Sequence, residues 1–62
     1  MITYLILNGS KLPAAEAVTI FKANKGATLS NLGHHPLAWY EQGAIVTNSL
    51  TAEMTNLLNK GA

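Results

Sequence analysis

The chain opens with an apolar run, Ile2-Thr3-Tyr4-Leu5-Ile6-Leu7, that stops at Asn8-Gly9-Ser10. In an extended backbone Ile2, Tyr4 and Ile6 share one face and Thr3, Leu5 and Leu7 the other. Both faces are mostly apolar, so the run predicts a strand covered on both sides, in the middle of a sheet or at a contact between subunits. The period then changes. Ala14, Ala17, Val18 and Phe21 recur at helical spacing, with Ile20 widening the stripe, which predicts an amphipathic helix with one face on the sheet. Ser10 is its candidate cap and Pro13 falls in its first turn. Glu16 sits near the positive end of the dipole, and Lys22 and Lys25 near the negative end before a Gly26 stop.

The stretch Ala27 to Pro36 has no decisive period. It fits either an extended segment with Leu29 and Leu32 turned inward or one short helical turn beginning at Thr28, and Pro36 pushes His35 toward extended geometry. Two β-rich runs follow, Leu37 to Glu41 and Ala44 to Asn48, separated by Gln42-Gly43. They predict a hairpin with Trp39 and Tyr40 on opposite faces. A two-residue loop sets Trp39 opposite Val46 and Tyr40 opposite Ile45; a three-residue loop shifts the partners by one. The last segment offers Ser49 or Thr51 as cap and Glu53 in the first turn. A stripe of Leu50, Met54, Leu57 and Leu58 follows, then Lys60 and a terminating Gly61, which together predict a second amphipathic helix. The expected fold is a single α+β domain over residues 1–62. Its order is β-α-(short irregular segment)-β-β-α, with the helices packed on one face of a short, mainly antiparallel sheet.

Composition narrows what such a fold can rest on. At 62 residues without cysteine, the chain has neither disulfides nor thiolate metal sites to support it, and a core this small supplies only about 3–5 kcal/mol. Partner chains are the remaining support. Charged residues make up 11% of the chain and hydrophobic ones 48%, against about 25% charged in ordinary soluble domains, so much of the surface is neutral. The net charge is +1, arginine is absent and the four lysines are dispersed, which leaves no strong phosphate-binding footprint. The N-terminal apolar run is far shorter than the roughly 20 residues of a membrane span and lacks a basic start, so a soluble, cytoplasmic protein is expected.

Candidate chemistry is sparse. His34 and His35 are the obvious metal or proton-transfer candidates. Adjacent side chains in an extended segment diverge, however, and no carboxylate cluster completes a shell, so no metal site and no cofactor is expected. Ser30 or Ser49 with a histidine and Glu41 can be drawn as a triad, but any short chain with two histidines allows as much, and Ser49 is better explained as a cap. No catalytic residue is assigned and no enzyme is expected. Within residues 28–48, the segment 28–43 has the length and the Leu-Gly turn of a helix-turn-helix, and the hairpin can be read as a wing. The segment departs from the helix-turn-helix pattern at His34, where an apolar residue is normal, and at Pro36, and neither it nor the hairpin carries a lysine or arginine. A winged or helix-turn-helix DNA-binding regulator therefore stands as the alternative. The preferred expectation is a small non-enzymatic interaction or regulatory protein. It acts as a homo-oligomer, a dimer first, through contact with another macromolecule, either an unidentified protein partner or, with weaker support, nucleic acid. The candidate contact residues are Tyr4, Ile6, His34, His35, Trp39 and Tyr40.

Overall fold

Two tight turns organise the sheet. At Asn8-Gly9 and again at Gln42-Gly43 both central residues have positive φ (49° and 86°, then 52° and 81°), the conformation whose twist matches that of the strands it joins. Asparagine tolerates this region and glycine adopts it without a Cβ penalty. The first turn joins β1 (Tyr4–Leu7) to β2 (Ser10–Pro13), and the second joins β4 (Pro36–Glu41) to β5 (Ala44–Thr47). A computed structural model of the chain describes residues 2–48 and 50–60. It adds α1 (Ala14–Ala23), the two-residue β3 (Leu29–Ser30) and α2 (Ala52–Lys60). The five strands form one antiparallel sheet in the order β2-β1-β3-β4-β5.

The architecture is the expected α+β one with helices on one face, but its order is β-β-α-β-β-β-α, and the difference has a local cause. Ser10 does not cap a helix. Asn8-Gly9 turns the chain back at once, so Ser10 to Pro13 pair with Leu7 to Tyr4. Helix α1 therefore begins at Ala14, with Pro13 extended (φ −54°, ψ 140°) in the cap position. The first free amide of α1, that of Ala14, donates instead to the Thr3 carbonyl at 2.9 Å, which ties the helix start to the strand beside it. At its other end α1 stops at Ala23, before Lys25 and Gly26, because Asn24 is extended (φ −135°). The Ala27 to Pro36 stretch takes the extended option, with Leu29 fully buried, but Leu32 is turned out to solvent and is 55% exposed. Ile20 likewise lies at the rim of the α1 stripe, 38% exposed, rather than within it.

Alternation along the strands defines two faces. Leu5, Leu7, Leu12, Leu29, Ala38 and Tyr40 point toward the helices, where they meet Ala14, Ala17, Val18 and Phe21 of α1 and Met54 and Leu58 of α2. The register between β3 and β4 slips by one residue: Leu29 faces Ala38 but Ser30 faces Pro36. Leu37 is thus the extra residue of a bulge, which lets it join the same core as its neighbour Ala38. Loop length in the β4–β5 hairpin is two, so Trp39 pairs with Val46 and Tyr40 with Ile45. Helix α2 is capped by Thr51, whose hydroxyl accepts from the Met54 amide at 3.3 Å. The alternative cap, Ser49, and the expected stop, Gly61, lie outside the described residues. Among the described residues no helix is long and apolar enough to cross a membrane.

Candidate functional site

Of the six residues singled out by the sequence, three meet on one surface. Tyr4, Ile6 and Trp39 occupy the sheet face opposite the helices, together with Val46, which pairs with Trp39. Tyr4 is 42% exposed, and the Lys11 ammonium lies 4.8 Å from its ring centroid. The Trp39 indole N–H donates to the Glu41 carboxylate at 3.4 Å across the same face. Ile6 is only 6% exposed although no helix covers it, because Lys11 and Ser30 stand directly beside it on the flanking strands.

Tyr40 belongs to the opposite side. Its ring packs against Phe21 at 5.0 Å between centroids, and its hydroxyl donates to the Lys22 carbonyl at 3.3 Å. The alternation that separates it from Trp39 was legible; which of the two turns inward was settled by the helices. Tyr40 thereby ties the C-terminal end of α1 to β4 and is not part of the open face.

The histidines form the crown of a closed loop. The Asn31 side-chain oxygen accepts from the amides of Gly33 at 2.9 Å and His35 at 3.0 Å, and its backbone carbonyl accepts from His34 at 2.9 Å. His34 sits at φ 63° in this turn. Both rings are exposed, and His35 Nε2 lies 3.4 Å from the Asn48 side-chain nitrogen Nδ2. Neither imidazole is bonded to Ser30 or Glu41, and the latter instead accepts from Trp39. Among the described residues no group of three His, Cys, Asp or Glu side chains comes together to hold a metal ion. Residues 28–48 contain strands and turns and no helix, so a helix-turn-helix does not form there; the β4–β5 hairpin has the outline of a wing without basic residues.

A second feature lies at the edge of the sheet, where the pattern of residues carries no periodic signal. The sheet has two outer strands, β2 and β5. The β2 edge carries Lys11 and Pro13, devices that discourage further pairing, whereas β5 reads Ala44-Ile45-Val46-Thr47 with neither charge nor proline. Beside β5, on the helix face, lies a groove of about 420 Å³. Ile45, Leu50 and Leu58 line it with Lys22, Thr47 and Asn59. The signal that would have found this edge was Asn8-Gly9, the strongest short hairpin signature. Reading it as a turn puts β2 beside β1 and closes that side of β1. Comparison with protein-family models, curated proteins and solved structures finds no match to this chain.

Proposed function

We propose that this chain is a small, non-enzymatic interaction protein that self-associates through the open face of its sheet and acts by contact with another macromolecule. The observation that carries this reading is the one-sided packing of the fold. Both helices lie on one face, while the other keeps Tyr4, Ile6, Trp39 and Val46 without a helix to cover them. An apolar sheet face rimmed by single charges such as Lys11 and Glu41 is the kind of surface that a second copy covers under two-fold symmetry. The scarcity of charge over the whole chain supports the same reading, since little on this face opposes close approach.

The test is sedimentation equilibrium across a wide concentration range with thermal melts at each concentration. A dimer whose melting temperature rises with concentration is expected, because association draws the equilibrium toward the folded state. A monomer of 6.6 kDa with a concentration-independent melt refutes self-association. Recovery of partners from the native host with and without nuclease addresses the second half: retention of a protein partner is expected, and nuclease-sensitive recovery would favour the nucleic-acid alternative.

A further inference from the structure

The free edge of β5 and the groove beside it are built from the same residues, and that coincidence specifies an occupant. In the β4–β5 hairpin Glu41 and Ala44 flank a two-residue loop, and Asn48 donates to the Leu37 carbonyl at 2.9 Å. Hydrogen-bonded pairs alternate along an antiparallel ladder. Ala44, Val46 and Asn48 therefore turn their main-chain groups toward β4, and Ile45 and Thr47 turn theirs to the open edge. The side chains of Ile45 and Thr47 are also the ones that line the groove. A strand added at this edge pairs with Ile45 and Thr47 and sends its own alternate side chains into the groove, because paired residues share a face.

The groove lining is asymmetric. Leu50, two residues beyond Asn48, makes its Thr47 end apolar, whereas Lys22 stands at the Ile45 end, where the Tyr40 hydroxyl reaches the Lys22 carbonyl; Leu58 lines the groove from α2. No acidic side chain lines the groove, and among the described residues Lys22 has no carboxylate partner. We propose that β5 receives an extended segment of a partner protein, running antiparallel. Its apolar side chain enters the groove opposite Thr47, and an acidic side chain two positions later, opposite Ile45, faces Lys22.

This deepens the interaction role above and rests on it only for the existence of a protein partner. The probe is a set of short peptides, acetylated and amidated, with leucine and, two positions on, glutamate, glutamine or lysine. They are titrated to about 1 mM against the full chain by amide chemical shifts, a range that reads even weak strand addition. Saturable shifts at Ile45 and Thr47 are expected for the glutamate peptide, with weaker binding for glutamine and weaker still for lysine. N-methylation of the residue opposite Ile45 should weaken binding about tenfold by removing a main-chain bond. Lys22→Glu should reverse the order of the glutamate and lysine peptides. Thr47→Pro removes only an outward-facing N–H, so the hairpin persists while binding is lost. Its sedimentation separates the two proposals: an unchanged dimer is expected, since the sheet-face contact does not use this edge. Absence of saturable shifts, binding indifferent to Thr47→Pro or to Lys22→Glu, or a dimer that Thr47→Pro makes monomeric would each overturn the docking proposal; the last assigns the edge to a second copy.

Discussion

Leu5 and Tyr4 are neighbours on β1 that face opposite sides of the sheet, so truncating each to alanine separates the core from the open face. Leu5 is 2% exposed and lies in the cluster formed with α1 and α2. Nearly its whole side chain is withdrawn from water, which is worth about 1.5–3 kcal/mol in transfer alone. With the cavity left behind, Leu5→Ala should cost about 2–5 kcal/mol. A domain of this size holds roughly 3–5 kcal/mol in total, so the variant should be largely unfolded, or retain a folded baseline only at the lowest urea concentrations. Tyr4 is 42% exposed, and the Lys11 ammonium lies over its ring. An exposed cation-ring contact is worth about 0.5–1 kcal/mol, and the part of the ring covered within the protomer adds a transfer contribution smaller than that of the nearly fully buried Leu5, so Tyr4→Ala should cost an isolated protomer less than Leu5→Ala. The part of the loss that comes from association must depend on protein concentration. Urea titrations followed by circular dichroism, at two concentrations a hundredfold apart, read both effects. An unchanged midpoint for Leu5→Ala would refute the assignment of that face to the core. A loss for Tyr4→Ala equal to that of Leu5→Ala and independent of concentration would refute the openness of the other.

Gly43→Ala forces a Cβ into a residue at φ 81° with nothing within 4 Å of the added carbon, so it should cost only the backbone term of about 1–2 kcal/mol; a denaturant series showing a much larger loss would indicate a clash the turn does not have. Asn31→Ala removes the oxygen that holds the Gly33 and His35 amides and should abolish the hydrogen-exchange protection of both while leaving Leu29 protected. Thr51→Ala should lower stability by about 0.5–2 kcal/mol through loss of the α2 cap, read as a shifted urea midpoint, with Thr51→Ser retaining most of it. Elemental analysis of untagged protein should find no stoichiometric zinc or nickel, since His34 and His35 gather no third ligand among the described residues; one tightly held ion per chain would refute this.

The elements that could be read along the chain are those whose pattern is local. The apolar stripe of α1, the cap and stripe of α2 and the Gln42-Gly43 hairpin each declare themselves within about ten residues, because turn chemistry and helical period act over that range. The Asn8-Gly9 turn was equally local. Ser10 and Pro13 after it also fit a helix start, and the four residues of β2 carry too little period to arbitrate. Tertiary structure decided the rest. Leu29-Ser30 is a strand only because β1 and β4 stand on either side of it; two residues have no intrinsic tendency strong enough to extend alone. Leu37 enters the core through a bulge that exists only in the pairing of β3 with β4. Alternation separates Trp39 from Tyr40 whatever the fold, yet the packing of Phe21 on the Tyr40 ring determines which of them is withdrawn and which stays on the open face. The free edge at β5 is likewise a property of strand order. It arises because α1 carries the chain back so that β3 pairs with β1, leaving β5 last, and long-range pairing of that kind leaves no periodic trace in the residues that end up at the edge.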